Sequence, residues 1–269
     1  MKQLVRVHVG VLSICLLYPC LCRAQAVDVG AAALPPPAFG APADTFTAPP
    51  ATRFWAPFRD APRDFSRFFS RDTVHIVMAA GMAAALAHRA DDAVKGQAMA
   101  HFSPTSASFR AGNIGGGFIA QTSAAVGAYA VGRLTGSARL SAVGGDLVRA
   151  QMLSQAVVQG VKFTTRRSRP DGDDRLSFPS GHTASSFATA TVLQRHFGWK
   201  AGVPAYAFGG YVAAARISAN RHHLSDVIMG AALGIAAGRT VTVGAGGHRF
   251  AVGVGPTAGG AAVTFTKRP

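Results

Sequence analysis

Between Thr73 and Gly238 the chain is written in long uncharged runs rich in alanine and glycine: Thr73–His88, Ala111–Gly132, Ala201–Ala215 and Val227–Gly238. With the shorter stretches between them they read as five or six helical segments, at about 73–90, 113–133, 145–168, 183–196, 203–217 and 223–238. Gly230, Gly234 and Gly238 recur every four residues, a spacing that lets two helices approach closely. A bilayer span needs about 20 apolar residues, and only Ala111–Gly132 reaches that length comfortably. Helices this short are more easily buried in protein than stretched across lipid, which favours an all-α bundle that is soluble or lies at a membrane surface. From Thr240 to Lys267 the period changes to alternation: Val241 and Val243, then Phe250, Val252 and Val254, then Val263 and Phe265. That tail (240–269) predicts a short β-hairpin extension with no catalytic part.

The N-terminus has the layout of a secretory leader (1–26): Lys2 and Arg6, an apolar run from Val7 to Leu21, then Ala24-Gln25-Ala26. All three cysteines, Cys15, Cys20 and Cys22, fall inside it, so a cleaved chain has neither disulfides nor thiolate chemistry. Residues 27–70 form a Pro/Ala-rich linker followed by an aromatic segment with Phe54, Trp55, Phe58, Phe65, Phe68 and Phe69. Those aromatics and Arg53, Arg59, Arg63 and Arg67 suit a membrane surface; packing onto the domain is the plainer reading. The helical domain is expected over 71–239. A formal charge of +15 suits an anionic substrate or an anionic lipid surface. Nucleic acid is the competing partner, but no recognition module is present and the leader points to export, so none is expected.

Three blocks carry the chemistry. The first runs from Lys162 to Arg169-Pro170, the second is Pro179-Ser180-Gly181-His182, and the third holds Arg216, His222 and Asp226. If residues 162–169 are helical, Lys162 and Arg169 lie on one face nearly two turns apart. His222 and Asp226, four apart, likewise share a helical face, where the carboxylate can take a ring N–H and fix the tautomer. Each block has a plainer reading on its own: a solvated basic face, a Pro-Ser-Gly turn with Ser180 capping a helix, and a structural His–Asp pair.

Together the blocks resemble the type 2 phosphatidic acid phosphatase superfamily, which also contains vanadium-dependent haloperoxidases. Its pattern of Lys-x6-Arg-Pro, Pro-Ser-Gly-His and Ser-Arg-x5-His-x3-Asp is matched by KFTTRRSRP from Lys162, PSGH from Pro179 and ARISANRHHLSD from Ala215. Ala215 stands where the family has serine, and the connector between Pro170 and Pro179 is short, which limits any loop covering the substrate. The resemblance implies a helical bundle of that type and hydrolysis of a phosphomonoester or diphosphate, with lipid and isoprenoid phosphates among the candidates. Lys162, Arg169 and Arg216 would bind the phosphate oxygens, a task that suits the arginine fork, with Ser180 and the Gly181 N–H as further donors. Gly181 lets the backbone approach the anion at the start of a helix. By the same resemblance His222 is the nucleophile, Asp226 orients it, and His182 protonates the leaving oxygen and then activates water. A helix turns about 100° per residue, so His223 shares the Asp226 face less well than His222.

No metal is implied, because three cations already supply the positive charge. Asp91-Asp92 and Asp171, Asp173 and Asp174 could hold a cation but read more simply as solvated loops. Gly112–Gly117 lacks the Lys-Ser/Thr of a phosphate-binding loop and reads as the start of a closely packed helix. Two other functions use the same parts: vanadate held by His222 for halide oxidation, and a non-enzymatic exported binding protein.

Overall fold

The computed structural model describes residues 55–101 and 107–243, together with the backbone of 249–257 and 260–268. The expected leader and most of the linker lie outside the described residues. Helices α1 (Ala56–Phe68), α2 (Arg71–His88), α3 (Asp91–His101), α4 (Ala107–Gly115), α5 (Phe118–Leu134), α6 (Ala138–Thr165), α7 (Gly181–Phe197), α8 (Trp199–Ser218) and α9 (Leu224–Val241) follow in order. The described domain is therefore all-α. The tail backbone runs as two antiparallel segments, Arg249–Thr257 and Gly260–Arg268, and the fold class rests on the helices alone.

Local chemistry sets the helix ends. Ser70 and Ser137 cap α2 and α6 by accepting from the N–H groups of Thr73 (3.4 Å) and Leu140 (3.3 Å). Gly198, at φ 76°, ends α7 and turns the chain directly into α8. Three helices were not anticipated: α1, α3 and α4, whose last residues, Gly112–Gly115, end a helix where the glycine-rich stretch was expected to start one. Helix α1 arises in the aromatic segment, started by Pro57 and tied down by Phe68, which enters the core, and by Asp64, which pairs with Arg149 at 2.6 Å. Helix α3 starts at Asp91-Asp92, whose charges suit its N-terminal turn. Asp91 is only 3 % exposed, so its expected place in a solvated loop is wrong.

The core gathers Leu153, Val158, Val192, Leu233, Ala188 and Ala236 from α6, α7 and α9. Small residues make it dense. A Cβ on Gly230 would stand 2.5 Å from the Ser180 carbonyl oxygen, and one on Gly238 would stand 2.6 Å from Thr191 Cβ, so α7 and α9 touch along the predicted glycine row. Gly112 and Gly116 bring α4 equally close to Tyr211, Ala215 and Val212 of α8. Among the described residues only Leu224–Val241 is long and apolar enough to cross a membrane, and 67 % of it is buried inside the bundle. Apolar side chains nevertheless stand exposed on the outer faces of α2 (Val74, Met78, Met82, Leu86), α5 (Ile119, Val126, Leu134) and α8 (Trp199, Val203, Phe208).

Candidate active site

The N-terminal ends of α7 and α9 meet the C-terminal ends of α6 and α8, and Lys162, Arg169, Ser180, Gly181, His182, Arg216, His222 and Asp226 gather at this junction. Lys162 lies in the last turn of α6, 6 % exposed, with Nζ donating to the Leu176 carbonyl. The helix stops three residues later. Arg166 takes the left-handed conformation (φ 45°, ψ 41°) and its N–H returns to the Lys162 carbonyl at 3.0 Å. Lys162 and Arg169 therefore do not share a helical face: Arg169 reaches the junction on the following loop, before Pro170, where extended backbone is preferred. Its Nε donates to Asp174 at 2.7 Å and its Nη1 to the Arg221 carbonyl at 3.3 Å.

Ser180 caps α7. Its buried Oγ accepts from Thr183 Oγ1 (3.0 Å) and the Thr183 N–H (3.5 Å), while its own N–H donates to the Asp226 carbonyl (3.0 Å). The cap was the plainer of the two readings of Ser180, and it aims the first N–H groups of α7, those of Gly181 and His182, into the junction. Arg216, in the last turn of α8, donates from Nη1 to Asn113 Oδ1 at 2.9 Å. Ala215 beside it is fully buried against Gly112, so the position that carries serine in the resembled pattern is filled here by close helix packing.

His222 precedes α9, whose N-cap is His223 and whose third residue is Asp226. The expected helical face shared by His222 and Asp226 is thus absent. Asn220, at φ 56°, turns the chain after α8, and His222 folds back over the first turn of α9 from outside it. Its Nδ1 stands 3.6 Å from Asp226 Oδ2, beyond hydrogen-bonding distance, with His222 3 % and Asp226 0 % exposed. Asp226 is otherwise fully engaged: Oδ2 accepts from Ser177 Oγ (2.5 Å) and the His223 N–H (2.8 Å), and Oδ1 from Arg167 (2.7 Å). The spacing argument for His222 over His223 rested on a helix that begins too late. What separates them is that His222 faces the Asp226 carboxylate, whereas His223 contributes its backbone N–H to it.

The charges of the junction act on one another. Burial, then Arg169, lower Lys162 to about 8, an opposing pull coming from Asp226 and Asp174. Arg216 is lowered to about 10 by burial, Arg169 and Arg221. Such repulsion among cations is relieved by an anion placed between them. Burial brings His222 down to about 4, with Lys162 and Arg216 adding to it and Asp226 opposing. His182 falls to about 3 through burial and the charges of Arg216 and His222. Both imidazoles are therefore neutral at pH 7.

Three further residues escaped the sequence reading. Arg167 lies inside the first block but off its spacing, and it bridges Asp226 to Asp91. Asn113, which holds Arg216, lies in an apolar glycine-rich stretch that gives no sign of it. Arg221 binds Asp171 (2.9 Å) and Asp173 (2.8 Å), so those acids, with Asp174 on Arg169, are ion-paired rather than simply solvated. Among the described residues no three His, Cys, Asp or Glu side chains cluster as metal ligands.

Comparison with known proteins places this junction in context. Residues 145–247 match the model of the PAP2 superfamily. Over 103 residues the chain is 40 % identical to the lipid A 1-phosphatase of Porphyromonas gingivalis, an alignment covering 35 % of this chain and 23 % of that protein. The chain thus spans less than a quarter of the length of that relative. Among solved structures, a transmembrane PAP2-type phosphatidylglycerolphosphate phosphatase from Bacillus subtilis aligns with a TM-score of 0.35 at 16 % identity, covering 70 % of this chain and 94 % of that one.

Proposed function

From the premise that residues 145–247 match the PAP2 superfamily, we propose that this chain hydrolyses phosphate esters, without a metal, through a phosphohistidine on His222. The observation that carries the reading is the convergence of Lys162, Arg169 and Arg216 on two neutral buried imidazoles and one buried carboxylate.

The three cations and the Gly181 and His182 N–H groups hold the non-bridging phosphate oxygens, with the Ser180 hydroxyl as a further donor beside its capping role. His222 Nδ1 faces Asp226, which leaves Nε2 to attack phosphorus. The P–O bond to the alcohol breaks as the N–P bond forms, and His182 delivers a proton to the leaving oxygen. That proton enters with a phosphate monoester that binds as its monoanion, or is taken up from solvent by His182 when the dianion binds and raises it; both routes give the same one-proton complex. His182 then takes a proton from water, whose oxygen displaces His222 and releases inorganic phosphate. Asp226 stabilises the positive charge that His222 carries while it is phosphorylated.

The substrate class we favour is a lipid phosphate. The P. gingivalis relative is a lipid A phosphatase by name, and the exposed apolar faces of α2, α5 and α8 suit a protein working against lipid. Export by the N-terminal leader, association with an anionic membrane surface and the tail's role as a β-hairpin extension belong to the same proposal. The test is release of inorganic phosphate by the full chain in detergent from phosphatidate, undecaprenyl diphosphate and p-nitrophenyl phosphate. We expect lipid substrates to lead by kcat/KM and His222→Gln to be silent on all three. Release from none of them, or equal release by His222→Gln, would overturn the assignment.

A further inference from the structure

Behind the catalytic junction, on the side of Asp226 away from His222, lies a polar lock joining three elements. Arg167 Nη1 donates to Asp226 Oδ1 (2.7 Å) and to Ser225 Oγ (2.6 Å), and Nη2 donates to Asp91 Oδ2 (2.7 Å). Asp91 in turn accepts from the Ser225 N–H (2.9 Å) and Oγ (2.7 Å), so a carboxylate from α3 covers the first turn of α9. The Arg167 carbonyl accepts from the Ser177 N–H (3.0 Å), and Ser177 Oγ donates to the other oxygen of Asp226 (2.5 Å). Lys95 of α3 adds a bond to the Pro170 carbonyl (2.8 Å). The guanidinium therefore holds one oxygen of Asp226 while the second oxygen faces His222.

Resting on the proposed function, we propose that Arg167, backed by Asp91, is a positioning residue: it fixes the Asp226 carboxylate and shares its charge, so that His222 stays neutral and correctly turned for attack. The geometry makes both parts necessary. Asp226 is fully buried, and a buried carboxylate without Arg167 would have the His222 proton as its nearest substitute cation. His222 also faces Lys162 of α6, Arg216 of α8 and His182 of α7, which disfavour its protonation, whereas Asp226 favours it. Arg167 itself faces Asp91 and His88. Neutralising Asp91 strengthens the hold of Arg167 on Asp226, whereas removing Arg167 releases Asp226 toward His222. The two changes must move His222 in opposite directions. A lock that merely anchors α3 predicts loss of stability from both changes and no such opposition.

The experiment is an NMR titration of the His222 imidazole, assigned with His222→Gln, in the full chain and in Arg167→Met, Arg167→Lys and Asp91→Asn, alongside kcat and KM for p-nitrophenyl phosphate. In Arg167→Met we expect the His222 midpoint to rise by at least about one pH unit and kcat to fall about 10- to 100-fold, the range for outer partners of a working histidine. KM should stay within about threefold, because Arg167 does not face the phosphate pocket. Arg167→Lys should restore the midpoint, and Asp91→Asn should lower it below that of the unmodified protein. An unchanged midpoint in Arg167→Met, or an unchanged or raised one in Asp91→Asn, would refute the proposal. If Arg167→Met does not fold, the Arg167→Lys and Asp91→Asn titrations decide by the same criteria. The titration needs no turnover, so failure of the phosphatase assignment would appear separately, as an absence of activity in the unmodified chain.

Discussion

Acidifying the protein from pH 7 to pH 4.5 should destabilise it through the two imidazoles of the junction. The unfolded chain binds a proton at each of these histidines near pH 6.5, whereas the folded chain holds His222 near 4 and His182 near 3. For a base depressed on folding, stability is fully present above the unfolded pKa and is lost as pH falls toward the folded one. Each histidine costs up to about 1.4 kcal/mol per pH unit in that window. At pH 4.5 the pair therefore costs up to roughly 5 kcal/mol, comparable with the whole stability of a modest domain. The two paired carboxylates add nothing here: Asp91 is lowered to about 2 and Asp226 is also lowered, so both lose their stabilising effect only below about pH 4. The assay is urea unfolding of the full chain in detergent at half-unit steps of pH. His182→Gln and His222→Gln should each remove about half of the slope. Saturating vanadate should flatten it further, because an anion between Lys162, Arg169 and Arg216 favours the imidazolium forms. An unfolding midpoint constant from pH 7 to 5, or a slope that survives both substitutions, would show that the imidazoles are not held neutral.

Exhaustive treatment with EDTA should leave phosphate release within about twofold, and vanadate should compete with substrate as a trigonal-bipyramidal mimic of the transferring phosphoryl group; strict Mg²⁺ dependence would refute the mechanism, and halide oxidation by the vanadate-loaded protein would favour the peroxidase alternative. Gly230→Ala puts a methyl 2.5 Å from the Ser180 carbonyl oxygen and should shift the N-terminus of α7, costing about 1–3 kcal/mol of stability and about 100-fold in turnover. Gly160→Ala, where a Cβ meets nothing within 4 Å, should instead gain about 0.5–1 kcal/mol and leave turnover unchanged, as thermal melts and steady-state rates would report.

What the sequence made legible was the set of parts and the helices that bear them. The Lys162 and Arg169 spacing, the Pro-Ser-Gly-His block and the His222–Asp226 interval named residues that do gather in space. The reason given for their gathering was wrong at two points, because spacing carries no information about where a helix stops. Arg166 ends α6 from a left-handed conformation that nothing in KFTTRRSRP announces. His223, an unusual cap, starts α9 one residue after His222. The glycine row Gly230, Gly234, Gly238 was readable because its function is local: each absent side chain admits the neighbouring helix. Asp91 and Asn113 were unreadable for the opposite reason. Their partners, Ser225, Arg167 and Arg216, lie far along the chain, and short polar residues near helix ends have the same composition whether they face solvent or a site. Helix α1 was half legible. Its aromatics were read as packing against the domain; Phe68 does so, but Trp55, Phe58, Phe65 and Phe69 stand exposed, and Pro57 and Pro62 hid the helix itself.

The most direct test of the central claim is rapid-quench labelling with a ³²P-phosphate ester, followed by mapping of the labelled peptide. A nucleophilic His222 predicts a phosphoenzyme that forms within the first turnover, survives alkali, is lost in acid and maps to the peptide containing His222 and His223. The label should persist in His223→Ala and vanish in His222→Ala. Accumulation of undischarged label in Asp226→Asn or His182→Ala would place those residues in the steps assigned to them. Retention of the label in His222→Ala, or turnover with no phosphoenzyme at any time, would contradict the account.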